Sequence, residues 1–417
     1  MTAAAKAMQP APYPIERIRA DFPILSTQVR GKPLVFLDSA ASAQKPRAVI
    51  ESITNTYETG YANIHRGLYH LSQIATDAFE AAREKIRAFI GAAQHEEIIL
   101  VRGATEGINL VAQTWGRTNL KAGDAVIISA IEHHANIVPW QMLRDEKNIE
   151  LRIIPVRDNG ELDFSAFKKL LTPEVKLLAI THVSNSLGIV VPVSDYILEA
   201  KKHSVVTLID GCQAATHMPV DVQKLGADFY VFSGHKLYGP SGIGVLYGRK
   251  ALLDKMPPWQ GGGEMIKEVR FEKTTYNDAP FRFEAGTPAI EAAIGLGAAI
   301  DYVTAIGMDA IHAHEAAITT HALEVMLQVP GLRIIAPGGV RASIVPFIMD
   351  GGHASDIGAL LDQQGIAIRT GHHCAMPVMD RFGVPATARA SFGIYTSHED
   401  IDAFATALHK TAKLLGA

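Results

Sequence analysis

The sequence predicts an α/β protein, with a large domain on a mostly parallel seven-stranded sheet and a smaller α+β domain after it. Two observations carry this prediction. Short runs of Ile, Val and Leu alternate with stretches of helical spacing over most of the chain, without the polar alternation of a half-wet sheet. The last third then changes character, with long helical patterns leading into separated short strands.

Seven apolar runs supply the sheet: 97–101, 125–129, 151–155, 177–181, 205–210, 229–233 and 243–247. Strands covered by helices on both faces read as near-continuous apolar runs without polar alternation, as most of these do. Helical spacing at 105–115, 137–146, 164–171 and 193–202 provides crossovers between parallel strands. Beyond them the pattern predicts helices over 289–306 and 308–328, short strands at 332–335, 343–347 and 366–369, and a closing helix over 398–415. Three units result: 1–30, a tail and a segment joining the small domain; 31–304, the large domain; and 305–417, the small C-terminal domain. The Gly-rich GGGEM at 261–265 and the polar stretch to Pro280 read as an irregular excursion.

Composition narrows the function. A chain of 417 residues is long enough for two or three cores. Its charged fraction is 20%, with a net charge of −4 and no basic block, which leaves nucleic acid and anionic membrane without an electrostatic claim. The longest apolar stretch, near 292–300, falls short of a membrane span. The opening MTAAAKAMQPAPYP lacks the apolar core of a signal peptide and reads as a frayed tail. Two cysteines, Cys212 and Cys374, fit a reducing compartment, so the cytosol is expected.

Two apolar runs end in charge. VVTLIDGCQA ends its strand at Asp210, at the edge where open α/β sheets bind ligands. DFYVFSGHKLYGP ends at Ser233-Gly234-His235-Lys236, and an ammonium after a buried strand is costly unless neutralised or paired. Taken singly, Asp210 is equally a helix cap or a metal ligand, and Lys236 a surface lysine. Together they are what a pyridoxal-phosphate site requires: an amine for the cofactor aldehyde and an acid for the pyridine nitrogen. Ser233 and His235 flank the lysine, and Thr105 opens a helix at GATEG, a seat for phosphate. The glycines of GPSGIG lack the P-loop pattern and read as a turn behind Lys236.

Along nearly the whole chain the segments NIHRGLYHLS, RGATEGINLVA, EHHANIVPWQ, THVSNSLG, DGCQA, FSGHKLYGPSGIG, PPWQGGGEM, RFEAGTP, RTGHHCAMP and RASFGIY resemble the class V (fold-type I) pyridoxal-phosphate enzymes, specifically the SufS-type, group II cysteine desulfurases. The resemblance implies that Lys236 bonds the cofactor and moves the substrate Cα proton, and that Asp210 pairs with the pyridine nitrogen. Gln213 and Asn185 would reach the ring's phenolic oxygen, and His134 would stack on the ring and assist proton transfers as a catalytic residue. Thr105, Ser233 and His235 would bind the phosphate, joined by Thr287 from a second subunit. Arg389 would hold the substrate carboxylate. Arg369, His65 and Arg66 would line the substrate pocket, Arg66 across a dimer interface. Ala104 stands where a hydroxyl residue is common in the family, so one phosphate hydrogen bond is expected to be missing.

Cys374 sits in Arg369-Thr370-Gly371-His372-His373-Cys374. Neighbouring cations favour the thiolate, the nucleophile of sulfur transfer. The competing readings are an inert buried cysteine and a His-His-Cys metal site, but three adjacent residues wrap an ion poorly, and no metal is expected. Cys212 reads as a small packing residue, and Arg389 is otherwise an ordinary salt-bridge arginine. The resemblance implies conversion of L-cysteine to L-alanine with a persulfide on Cys374. A SufE-like or SufU-like carrier would take the sulfur towards an Fe–S scaffold, and the enzyme would be a homodimer. A selenocysteine lyase would use the same residues.

Overall fold

In the computed structural model, which describes residues 13–417, seven strands form one sheet. They are β1 (Ile98–Val101), β2 (Ala125–Ser129), β3 (Glu150–Ile154), β4 (Val175–Thr181), β5 (Val206–Asp210), β6 (Phe229–Ser233) and β7 (Gly244–Gly248). Their order is β1-β7-β6-β5-β4-β2-β3. Pairings among β2 to β6 are parallel, whereas β7 runs antiparallel to both β6 and β1. Only residues 234–243 separate β6 from β7, too few for the crossover that parallel pairing needs.

Strands β1, β2, β6 and β7 are buried at every position. Alternate residues of β1, Ile98 and Leu100 against Ile99 and Val101, enter two separate cores, one on each face. Edge strand β3 buries only Ile154 fully, since no strand covers its outer side. The predicted α/β class and sheet are therefore present, with strand bounds within two residues of expectation. The reading of the first 14 residues as a frayed tail lies, for residues 1–12, outside the described residues.

A second, antiparallel sheet is made of β8 (Leu332–Ile334), β9 (Ile344–Met349), β10 (Arg369–Gly371) and β11 (Thr387–Ser391), in the order β8-β9-β11-β10. Helices Met308–Met326, Ala354–Asp362 and His398–Leu415 cover it and build a third core. The run predicted as one strand at 366–369 divides. Ile366–Ala367 pairs in parallel with Val35–Phe36, and the next stretch joins β11. Alternation along a strand does not reveal a change of partner. Val35 and Leu37, assigned from the sequence to the large domain, pack in this third core.

Three other features depart from expectation. The stretch read as irregular forms a two-stranded hairpin, Ile266–Val269 with Thr274–Tyr276, leaving Phe271 fully exposed at its tip. The helix His70–Phe89 was not anticipated, although it buries Ala75, Phe79, Ala82 and Ile86 at helical spacing. The helix predicted over 105–115 is regular only over Ala104–Val111 and finishes as a wider turn, Ala112–Gly116. Among the described residues no single helix is long and apolar enough to cross a membrane.

Arg83 ties this scaffold together. Fully buried on the 70–89 helix, it donates to both carboxylate oxygens of Glu284 at 2.7 and 3.0 Å, to Glu80 at 2.9 Å and to the Ile98 carbonyl at 2.8 Å. Glu284 also accepts the Leu100 amide at 2.7 Å. A charge left here without its partner is expensive. We expect Arg83→Met to lower the unfolding free energy by about 3–5 kcal/mol in urea titration, with Arg83→Met/Glu284→Leu recovering much of the loss.

Candidate active site

Asp210 is the last residue of β5 and Ser233 the last of β6, so parallel pairing delivers both to one sheet edge. Between them and the second sheet lies a cavity of about 160 Å³. Ten of the fourteen side chains assigned from the sequence line it: Lys236, Asp210, Gln213, Asn185, Thr105, Ser233, His235, Arg369, Cys374 and Arg389. His134, Thr287, His65 and Arg66 do not.

The loop carrying Lys236 is held on all sides. The Gly234 amide donates to the Ile243 carbonyl at 2.9 Å, and a side chain at 234 would meet Ile243 at 2.9 Å. A strap from the chain's beginning, residues 38–45, lies across the loop. The His235 carbonyl accepts the Ala43 amide at 3.1 Å, the Lys45 ammonium at 3.0 Å and the Ser42 hydroxyl at 3.3 Å. Burial holds the Lys45 pKa down to about 8. The strap is fastened in turn from the far end of the sequence. The Ala40 amide donates to the Ser391 hydroxyl at 3.0 Å and the Gln44 amide to the Tyr395 hydroxyl at 3.1 Å.

Pyridoxal phosphate fits these residues. Asp210 is buried yet faces the cavity, and Oδ1 accepts only the Cys212 amide, at 3.0 Å. Gly211 behind it has no space for a side chain, because a Cβ would fall 2.0 Å from the Tyr230 ring. Thr105, Ser233 and His235 also line an adjoining pocket at the start of the 104–111 helix, where backbone amides suit a phosphate. Ala104 supplies no hydroxyl, but its amide donates to Ser233 Oγ at 2.9 Å and aims that side chain. Gln213 donates to the Ala40 carbonyl at 2.8 Å. Arg389, sunk in the protein, donates to the Asn185 carbonyl at 2.7 Å and to Asp38 at 3.1 Å, while its Nε has no partner among the described residues. Burial lowers the Arg389 pKa to about 10 and raises that of Asp38. An unpartnered guanidinium N–H here suits a substrate carboxylate.

One assignment is corrected. The histidine facing the cavity is His133, not His134. His133 Nδ1 accepts the Ala135 amide at 3.0 Å, and burial together with the Lys236 charge lowers its pKa to about 4, leaving a neutral ring. His134 turns away, and its Nε2 accepts the Met376 amide at 3.1 Å. Glu132, fully buried, anchors this turn by accepting the Thr181 amide at 2.9 Å and the Asn136 side chain at 2.8 Å, besides pairing with Ser129. Burial raises its pKa to about 8.

Cys374 is half-buried, with φ of +55° after His373 at +53°. Left-handed backbone in consecutive non-glycine residues costs about 1–3 kcal/mol each and persists only where neighbours enforce it. Here Asn185 donates to the His373 carbonyl at 2.7 Å, the His134 amide donates to the Cys374 carbonyl at 2.7 Å, and His373 Nε2 pairs with Thr387 Oγ1 at 2.9 Å. Cys212, by contrast, is buried against Ser233 and its thiol pKa is pushed up to about 12, chiefly by burial.

The remaining residues gather elsewhere. His65 lies between Glu80 and Glu264, at 2.9 Å from each, and its hydrogen bond with Glu80 raises its pKa. Arg66 sits 3.5 Å from Glu264, and Thr287 shares a separate surface pocket with Arg66. Within this chain none of the three lines the main cavity. Sequence reading missed Asp38, Lys45 and Glu132. Asp38 had a usable signal: LVFLD, like TLID, is an apolar run ending in a carboxylate.

The chain matches the aminotransferase class-V family over residues 35–404. It is similar to a cysteine desulfurase of Yersinia pestis (strain Pestoides F), 54% identical over 405 residues that span 97% of this chain and 100% of that protein. A cysteine desulfurase of Pectobacterium carotovorum subsp. carotovorum (strain PC1) is 53% identical, with 97% and 99% covered. Among solved structures, Escherichia coli cysteine desulfurase CsdA, in an S-sulfonic acid form, superposes with a TM-score of 0.89 at 39% identity, covering 96% of this chain and 98% of that one. The apo cysteine desulfurase of Thermococcus onnurineus NA1 gives a TM-score of 0.91 at 36% identity, covering 97% and 100%.

The buried imidazoles have a consequence for stability. Burial lowers the pKa of His133, His182 and His235 to about 4 and of His373 to about 3. Unfolding exposes them to their ordinary pKa near 6.5, so below that pH the unfolded chain binds more protons than the folded one. Stability is therefore expected to fall as pH drops from about 6.5 towards 4. Urea midpoints across that range should decline more gently for His182→Gln, by up to about one proton's worth, ~1.4 kcal/mol per pH unit.

Proposed function

The chain belongs to the aminotransferase class-V family and, within it, to the pyridoxal-phosphate-dependent cysteine desulfurases, and we propose that it is a SufS-type, group II member that stores sulfur as a persulfide on Cys374. The observation that carries this reading is one cavity lined both by Lys236 with Asp210 and by the half-buried Cys374.

When bound, pyridoxal phosphate supplies an aldehyde for amine capture and a ring that takes up electrons released at Cα. The protein's own groups do the rest. Arg389, with its free Nε, holds the carboxylate of L-cysteine. Lys236 Nζ takes the Cα proton and is placed to return it. Asp210 presents its side chain at the cavity wall for the pyridine nitrogen, and neutral His133 adds no competing positive charge. Arg369 lines the cavity beside Cys374, whose thiolate is the nucleophile. That thiolate bonds to the substrate sulfur as the Cβ–Sγ bond breaks, its electron pair going to carbon. Protons delivered to Cβ and Cα give L-alanine, so cysteine plus an enzyme thiol become alanine plus an enzyme persulfide.

A SufE-like or SufU-like carrier in the cytosol accepts the sulfur for Fe–S assembly, and the enzyme is a homodimer. Supporting the dimer, Thr287 and Arg66 share a pocket apart from this chain's own cavity, while Leu68 is 94% exposed nearby in sequence.

Cys374→Ser is expected to keep the visible cofactor absorbance and lose persulfide formation from L-cysteine. Sulfur release by that variant at the wild-type rate would refute the assignment. Turnover is expected to rise when a SufE- or SufU-type carrier is added, because the bonds fixing the Cys374 turn limit unaided release of the sulfur; equal rates with and without carrier count against it.

A further inference from the structure

We propose that His134 is a positioning residue for Cys374, clamping the turn that carries the thiol, and has no part in holding the cofactor. The inference rests on the reading of Cys374 as the sulfur nucleophile and adds to it the residue that fixes where that sulfur sits.

Two hydrogen bonds from one residue straddle the cysteine. The His134 amide donates to the Cys374 carbonyl at 2.7 Å, and His134 Nε2 accepts the Met376 amide at 3.1 Å. On the other side His372 Nδ1 accepts the Cys374 amide at 3.1 Å, and its ring centroid stands 5.6 Å from that of His134. Three backbone groups of the turn are thus satisfied by two imidazole-bearing residues. The bond to Met376 spans 242 residues of sequence and joins the loop after β2 to the segment between β10 and β11. A further local bond runs from the Ala375 amide to the His372 carbonyl at 2.9 Å.

The turn needs such holding. Left-handed backbone at both His373 and Cys374 relaxes unless it is tied down. For Nε2 to accept an amide proton, the ring must be neutral with its proton on Nδ1, and burial with His372 nearby lowers its pKa in that sense. Adjacent residues of one turn therefore face opposite ways: His133 lines the cavity, while His134 grips the cysteine turn.

Two substitutions separate this role from a general structural one. In His134→Gln the side-chain carbonyl reaches the position of Nε2 and still accepts the Met376 amide, whereas His134→Leu offers no acceptor. The readout is the rate at which iodoacetamide alkylates Cys374 in the holoenzyme, located by peptide mass, beside the visible cofactor band and the kcat and KM for L-cysteine. Loss of one such bond should speed alkylation in His134→Leu by about five- to tenfold. His134→Gln should stay within about twofold of wild type, because its hydrogen bond is kept. The band should be unchanged in both, and His134→Leu should lose kcat with KM nearly constant. Alkylation of His134→Leu at the wild-type rate, equal acceleration in His134→Gln, or an altered band in either variant overturns the proposal. Cys374→Ser tests the underlying function separately, since the alkylation rates report the turn's accessibility whatever chemistry the thiol performs.

Discussion

Parallel pairing between the strands that end in Asp210 and Ser233 is the constraint from which the site follows. Hydrogen bonds between neighbouring parallel strands put both carboxyl ends at one edge, with Asp210 opposite Val231 and Ser233 two residues beyond. The short return to β7 then forces the chain to turn at once, and Lys236 lies in that turn. A carboxylate and an amine are thus set by backbone geometry before any side chain chooses a rotamer. The second sheet contributes the other half, with Arg389 in β11 and Cys374 in the segment leading into it.

Electrostatics then sorts the charges. Burial strips the proton from His133, His235 and His373, and supplies one to Glu132. The charged pair that remains is Arg389 against Asp38. Neutral imidazoles can accept backbone amides, which is how several of them are used here, and positive charge stays where an anionic ligand would meet it.

Much of this was legible in the residues, and the failures have physical causes. Apolar runs closing on a charge located Asp210 and Lys236, since little but function justifies a charge at a buried strand end. The same rule fitted Asp38 and went unused. Choosing between His133 and His134 was beyond periodicity, because one peptide unit in a tight turn decides which ring faces inward. His65, Arg66 and Thr287 came from resemblance, and this chain places them away from its own cavity. The 266–276 hairpin was hidden by its short, largely exposed strands, IKEV and TTY, which bury no residue fully and show no continuous apolar run.

The strap over Lys236 carries a further implication, for biosynthesis. Its anchors, Ser391 and Tyr395, lie far beyond the last strand of the large sheet, which ends at Gly248, and the Val35 and Leu37 amides donate to the Gly365 and Ala367 carbonyls. A ribosome that has finished the entire seven-stranded sheet still holds a chain whose reactive lysine loop lacks its cover. Long-range closure of this kind is slow, and it comes after the nearer contacts have formed. The amine is therefore braced only once the segment carrying Ser391 and Tyr395 has been made, so the site's maturity waits on residues far downstream of the sheet that bears it.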